Sequence, residues 1–204
     1  MPLSVPARFF ALLVALSAWA GLAVQLEASL GLTGSAGAAA WAMLRYFTVT
    51  TNLLVALLFT AAALRGRASP FALGGATMAI LLVGIVFALL LNGLLELSGG
   101  ALLADFLLHK ATPVLAVLWW LAFAPKGGLT RRDPFLWVLY PLGYFSYALV
   151  RAKLDGRYPY PFMDAERIGW LQTCLNGAEV AAGFLLAGLL LVRLDRRLAR
   201  SPAD

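Results

Sequence analysis

Long apolar stretches, separated by short polar or glycine-rich turns, make up most of the chain. A membrane-spanning helix needs about 20 mostly apolar residues, and six stretches of this kind are present. They lie at about 8–27, 43–64, 71–95, 101–123, 134–152 and 168–192. The pattern therefore predicts an all-α integral membrane protein, a single domain built as a bundle of six transmembrane helices with short loops.

The first stretch allows a second interpretation. Arg8, the apolar run after it and Ala18-Trp19-Ala20 together match the layout of a cleavable signal peptide. The apolar run continues through Val24 to Leu26, which favours a retained helix. Removal of this segment would leave the orientation of the other five spans unchanged.

Composition excludes most soluble classes of protein. Of the 204 residues, 62% are hydrophobic and 13% are charged, whereas an average globular chain is about 45–50% apolar. The single cysteine, Cys174, excludes an internal disulfide and a thiolate metal site. The single histidine, His109, excludes a multi-histidine metal site. We therefore expect neither a metal nor a cofactor.

Lysine and arginine are distributed unevenly between the two ends of the predicted helices. Ten lie at one end: Arg8, Arg65, Arg67, Lys126, Arg131, Arg132, Arg193, Arg196, Arg197 and Arg200. Six lie at the other: Arg45, Lys110, Arg151, Lys153, Arg157 and Arg167. Because cytoplasmic loops carry an excess of these residues, both termini are predicted to be cytoplasmic. The net charge of +6 then reflects orientation and indicates no nucleic-acid partner.

Polar side chains cluster on one face of the second predicted span. Arg45, Thr48 and Asn52 are three and four residues apart, so they share a helix face. A single threonine commonly bonds the carbonyl one turn back, whereas polar residues within a bilayer often mark a functional site. Thr48 is therefore a candidate nucleophile, and Arg45 and Asn52 are candidate substrate-binding residues.

The fourth predicted span carries an acid and a base one helical turn apart. Asp105 lies four residues before His109, where a carboxylate can bond an imidazole nitrogen and fix its tautomer. Pro113 lacks the N–H that would bond the His109 carbonyl. The alternative is a histidine that snorkels to water from a helix end. Its position, about eight residues or roughly 12 Å inside the span, argues against snorkelling.

Two further spans carry polar rows that supply the remaining candidate substrate-binding residues. In the fifth span, Tyr144 and Arg151 belong to a row at helical spacing, and in the sixth span Asn176 and Glu179 are three residues apart. Such rows either line a ligand cavity or form an interfacial tyrosine belt and hydrogen-bonded contacts between helices. Both interpretations remain open.

The depths of Thr48 and His109 in their spans are compatible with direct contact. Both spans enter from the same side, and the two residues differ by about three positions, or roughly 5 Å of rise. Histidine can remove the proton that makes a hydroxyl nucleophilic, and Asp105 would complete a triad-like set. Arg45, Asn52 or a tyrosine hydroxyl is suited to oxyanion stabilisation. A site within the bilayer would suit hydrolysis of a lipid ester.

Three short motifs occur in order along the chain. They are Arg45-Tyr46-Phe47-Thr48, His109-x-x-Thr112-Pro113 and Tyr158-Pro159-Tyr160-Pro161-Phe162. In this respect the chain resembles the androgen-induced-gene family of multi-pass membrane proteins, in a bacterial branch. Members of that family include threonine hydrolases of fatty acid esters of hydroxy fatty acids.

The resemblance implies roles for two residues and a location. It implies that Thr48 is the nucleophile and His109 the base of a lipid ester hydrolase in a bacterial plasma membrane. The chain also departs from the family pattern, because animal members have an aspartate three residues after the threonine, where this chain has Thr51, followed by Asn52.

The same polar faces also fit a protein without enzymatic activity. In that case they line a path for a lipid or small molecule, in a binding or transport protein, or they act only as contacts in an assembly. Transporters often contain inverted repeats and paired broken helices. Pro113 and Pro141 interrupt two predicted spans, but the sequence shows no internal repeat. The acyl chain, head group and oligomeric state are left open.

Overall fold

The computed structural model describes residues 2–93 and 97–199. Over these residues the regular structure is helical, and no β-strand forms. This confirms the all-α class. The described chain divides into two compact units. The first comprises the residues up to Leu129 and those from Asp195 onward, and the second comprises Thr130–Leu194.

The first unit contains most of the long helices. They are α1 (Val5–Thr33), α2 (Ala36–Met43), α3 (Phe47–Arg65), α4 (Pro70–Val86), α5 (Gly99–Phe106) and α6 (Thr112–Phe123). A π-helical segment, Phe87–Leu91, extends α4, and a second one, Leu107–Ala111, joins α5 to α6.

The second unit contains shorter helices and most of a long one. They are α7 (Asp133–Trp137), α8 (Leu139–Asp155), a 3₁₀ turn (Pro161–Met163), α9 (Ala165–Ile168) and α10 (Trp170–Leu198), of which the part before Asp195 belongs here.

Five helices of the described chain are long and apolar enough to cross a membrane. They are Val5–Thr33, Phe47–Arg65, Pro70–Leu91, Gly99–Phe123 and Trp170–Leu198. They correspond to five of the six predicted spans and identify the chain as an integral membrane protein by length and composition. The remaining span, 134–152, falls on α7 and α8, and α8 has 17 residues. A sixth crossing therefore stays a prediction.

The second span begins later than predicted. Residues 36–43 form the separate helix α2. The chain then turns, and the Arg45 N–H donates to the Ala42 carbonyl and the Tyr46 N–H to the Met43 carbonyl. These short-range bonds end α2, and α3 starts only at Phe47. Thr48 consequently lies in the first turn of α3 and not about five residues inside a helix.

The third span also ends earlier than predicted. Its π-helical extension stops at Leu91, where Asn92 takes an extended conformation and donates its N–H to the Phe87 carbonyl. Residues 94 and 95 of the predicted span lie outside the described residues.

Close helix packing in the first unit places α3 beside the α5–α6 segment. The long helix α1 packs against α3, α5 and α6, and α4 packs against α3 and α6. A Cβ atom at Gly21 of α1 would lie 2.7 Å from Leu108 Cδ2, so only glycine permits this approach. In the core, the Trp119 ring meets the Phe59 ring edge-on at 5.1 Å.

Candidate active site

The loosened helical turn at Leu107–Ala111 positions the histidine of the site. The Thr112 N–H donates to the Leu107 carbonyl, five residues back, instead of to the Leu108 carbonyl. Pro113 explains why the turn widens, because a proline ring in an α-helix clashes with the carbonyl four residues earlier, here that of His109. Short π-helical segments of this kind are frequent at functional sites.

Thr48 faces this segment from the first turn of α3. Its side chain is largely buried, and Tyr46 is the N-cap of the helix. The first N–H groups of a helix have no partner within it, and this end of a helix carries a partial positive charge. Negative charge that develops beside Thr48 would therefore be stabilised.

The structure brings Thr48, His109 and Asp105 together. Thr48 Oγ1 lies 3.2 Å from His109 Nε2, and His109 Nδ1 lies 3.0 Å from the Asp105 carboxylate. Nδ1 is also 3.2 Å from the Asp105 backbone carbonyl. Both of these neighbours of Nδ1 are acceptors, so a neutral imidazole carries its proton on Nδ1. The lone pair of Nε2 then accepts the Thr48 hydroxyl proton.

An aromatic ring from the π-helical segment at Phe87–Leu91 covers one face of the imidazole. The Phe87 ring stacks on His109 with the ring centroids 4.0 Å apart and the planes 12° apart. Lys110 Nζ lies 5.7 Å from the centroid of the Phe87 ring. Phe87 could not be predicted from the sequence, because nothing in the sequence distinguishes it from the eleven other phenylalanines. Its role becomes visible only when α4 and the α5–α6 segment are seen side by side.

Asn52 links the two backbone segments of the site. Its Nδ2 donates to the Thr48 carbonyl at 2.9 Å and to the Leu108 carbonyl at 3.2 Å. The side chain is fully buried, and Oδ1 accepts no hydrogen bond. Both amide protons are therefore used within the protein.

Gly84 allows α4 to approach the histidine-bearing segment. A Cβ atom at this position would lie 3.1 Å from the His109 carbonyl oxygen and 3.2 Å from Pro113 Cβ. These distances are shorter than ordinary van der Waals contacts, so the neighbours would have to move. This glycine was also missed, because its role is visible only once α4 and the α5–α6 segment are seen side by side.

Arg45 belongs to the first unit with the triad residues. It is largely buried and lies in the turn between α2 and α3, three residues before Thr48. Its predicted role in substrate binding stays a prediction.

The other predicted substrate-binding residues lie in the second unit. Arg151 Nη1 donates to the Tyr147 hydroxyl at 2.8 Å and Nε to Asp155 at 3.2 Å. The Tyr144 ring lies 6.2 Å from that of Tyr147.

On α10, Asn176 Nδ2 donates to the Phe162 carbonyl at 2.8 Å, and Glu179 is exposed. The Asn176 bond connects α10 to the 3₁₀ turn, whereas the Arg151 and Tyr144 contacts lie within α8. The predicted roles of Tyr144, Arg151, Asn176 and Glu179 in substrate binding stay predictions.

The site offers the groups for acyl transfer through a hydroxyl nucleophile. It contains a hydroxyl next to an imidazole nitrogen, a carboxylate on the other nitrogen, and a helix N-terminus beside the hydroxyl. Over residues 2–93 and 97–199, no three side chains of histidine, cysteine, aspartate or glutamate converge as metal ligands would.

Comparison with known proteins leaves the chain without an assigned relative. No protein-family model, curated protein or solved structure matches it.

Proposed function

We propose that the protein is an intramembrane hydrolase of lipid esters, with Thr48 as nucleophile and His109 as general base. The observation that carries this proposal is the 3.2 Å contact between Thr48 Oγ1 and His109 Nε2, with Asp105 on the opposite nitrogen. Asp105 orients the imidazole and stabilises its protonated form, as the acid does in a hydrolase triad.

The reaction proceeds in two acyl transfers. Thr48 Oγ1 attacks the ester carbonyl carbon while its proton moves to His109 Nε2. The C–O bond to the alcohol then breaks, and His109 returns the proton to the departing alkoxide oxygen. Water attacks the acyl-threonine ester with His109 again as the base. The fatty acid leaves, and the proton returns to Thr48.

The surroundings of the site support a lipid as the ester. The side chains of His109 and Asp105 are 17% and 11% exposed, so the edge of the site can be reached. Leu102 and Phe106, on the same helix as Asp105, are about half exposed. An apolar surface of this kind, on a helix suited to a bilayer, would meet acyl chains. A lipid ester would therefore approach sideways from the membrane.

The same proposal includes the family to which the protein belongs, its location and its topology. The ordered motifs ending in Tyr160-Pro161-Phe162 support the androgen-induced-gene family, in a bacterial branch. The uneven distribution of basic residues supports cytoplasmic termini in a plasma membrane. An even number of crossings is required for both termini to lie on one side, which supports a sixth span formed within residues 134–152.

A fluorophosphonate probe, which reacts with activated hydroxyl groups, tests the mechanism. The purified wild-type protein should be labelled on Thr48 and should hydrolyse a long-chain ester. Thr48→Ala and His109→Ala should each abolish labelling and hydrolysis. The double mutant should be no less active than either single mutant, because the two residues act as a unit.

Thr77→Ala is the matched control for loss of a buried threonine. The Thr77 hydroxyl is buried in α4 and has no hydrogen-bond partner, so labelling should continue at the wild-type rate. Full labelling and hydrolysis in a folded Thr48→Ala protein would reject the threonine mechanism. The alternative of a lipid-binding or transport protein would then be favoured.

A further inference from the structure

The Leu108 carbonyl lacks a donor within its own helix. In an α-helix it would accept the N–H of residue 112, but the Thr112 N–H donates to Leu107 instead. In a continued π-helix it would accept the N–H of residue 113, which is a proline and has none. The same two features that widen the turn therefore leave the Leu108 carbonyl in need of a donor from elsewhere.

Asn52 supplies that donor from a different helix. Its Nδ2 reaches the Leu108 carbonyl at 3.2 Å and the Thr48 carbonyl at 2.9 Å. One amide group thus connects the backbone of the candidate nucleophile with the residue immediately before the candidate base. Both bonds are donated by Nδ2, and Oδ1 accepts no hydrogen bond.

We infer that Asn52 is a positioning residue that holds the widened turn at 107–111 against α3 and so directs His109 toward Thr48. If the turn returned to α-helical register, the residues before and after it would rotate relative to one another by about 100° per residue removed, and His109, within the turn, would change direction. The contact between Nε2 and Thr48 Oγ1 would then be lost. This role differs from substrate binding, which the sequence predicts for Asn52.

The expected loss of catalytic rate without Asn52 rests on the proposed hydrolase function. The expected displacement of the His109 imidazole does not. Asn52 is fully buried and both of its amide protons are occupied, so it has no donor left for a substrate. Loss of the amide should lower kcat and leave KM unchanged. A displacement of about 1 Å at a catalytic group can cost roughly 100-fold in rate.

The single histidine allows the position of the imidazole to be measured directly. In protein labelled with ¹⁵N-histidine, every imidazole signal comes from His109, and the Nδ1 and Nε2 shifts report their hydrogen bonds. Asn52→Leu keeps the approximate shape and removes the amide. Thr77→Val, another near-isosteric change at a buried polar side chain, is the control.

We expect Asn52→Leu to shift the Nε2 signal away from its wild-type value and to slow probe labelling of Thr48 by about 100-fold. Thr77→Val should change neither. A folded Asn52→Leu protein with wild-type imidazole signals would overturn the inference. If the signal moves but the wild-type protein neither reacts with the probe nor hydrolyses esters, the positioning role stands and the hydrolase function fails.

A second variant covers the case in which Asn52→Leu does not fold. Adding Pro113→Ala restores an N–H at residue 113 and lets the helix satisfy its own carbonyls. The double mutant Asn52→Leu/Pro113→Ala should fold, with the imidazole signals displaced from their wild-type values. Wild-type imidazole signals in this double mutant would contradict a role for Asn52 in directing His109.

Discussion

At the scale of single residues, the imidazole of His109 is held from three directions. Asp105 lies against Nδ1, Thr48 against Nε2, and the Phe87 ring against one face. These contacts restrict rotation of the ring, and Nε2 lies 3.2 Å from the Thr48 hydroxyl oxygen. Such preorganisation is what general base catalysis requires of geometry.

Replacement of Asp105 by asparagine tests the contribution of the carboxylate. The amide oxygen of Asp105→Asn can still accept the Nδ1 proton, but the negative charge that stabilises the imidazolium is lost. We expect kcat to fall by about 10- to 100-fold, less than for Thr48→Ala. Steady-state hydrolysis of a long-chain ester measures the effect.

The control for Asp105→Asn is Asp155→Asn. This carboxylate also lies one turn from a basic partner, Arg151, but it belongs to the second unit. Wild-type kcat in Asp105→Asn would show that the carboxylate has no role in the chemistry.

The pairing of Thr48 with His109 could be predicted from sequence, whereas the part played by Asn52 could not. Spacings of three and four residues place side chains on one helix face, although the depth estimate for Thr48 assumed a span from residue 43, and α3 begins at Phe47. The Leu108 carbonyl requires a hydrogen-bond donor from another helix because the Thr112 N–H donates to the Leu107 carbonyl, five residues back. No residue pattern along a single helix reveals that bond.

At the scale of helices, the widened turn changes which residues share a face. The spacing of Asp105, His109 and Thr112 predicts one common face in a regular α-helix. In the structure Thr112 Oγ1 instead forms a hydrogen bond of 2.9 Å with Ser17 of α1. The irregular turn between His109 and Thr112 explains this difference, because it lies within the interval over which regular spacing was assumed.

Replacement of Gly84 by alanine tests how tightly α4 supports this turn. The new Cβ atom would lie 3.1 Å from the His109 carbonyl oxygen, so the turn must move by a few tenths of an ångström. A displacement of about 1 Å at a catalytic group can cost roughly 100-fold in rate. For this smaller displacement we expect Thr48 labelling to slow by about 3- to 10-fold. Time courses of fluorophosphonate labelling measure this.

Gly183→Ala on α10 serves as the comparison for Gly84→Ala. A Cβ atom at Gly183 meets nothing within 4 Å, and alanine favours the helix by about 1 kcal/mol. Its labelling rate should equal that of the wild type. An unchanged rate in Gly84→Ala as well would show that the turn tolerates displacement.

At the scale of the whole molecule, the proposed cytoplasmic termini would place the turn around Ser35 and the loop around Arg157 outside the cell. Both residues are exposed and can be replaced singly by cysteine in a Cys174→Ser background. An impermeant maleimide added to intact cells should label both positions. Labelling only after the membrane is opened would reverse the predicted orientation.

The number of crossings is harder to predict than the class of protein. Mean apolarity over 134–152 predicts a span, but Asp133-Pro134 starts a short α7, and the chain leaves regular helix at Val138 before α8. The mean apolarity of a stretch does not reveal such breaks in a helix, whereas its backbone hydrogen bonds do. The strongly apolar stretches at 8–27 and 101–123 both correspond to helices suited to a bilayer.

For the proposed hydrolase, the half-exposed apolar residues of α5 near Asp105 would also determine how substrate concentration should be expressed. An ester that arrives sideways through the bilayer is diluted by other lipids and not by water. The rate of a lipid hydrolase of this design would follow the mole fraction of ester in the membrane. Adding inert phospholipid would slow the reaction at constant total ester, whereas changing the volume of buffer would not.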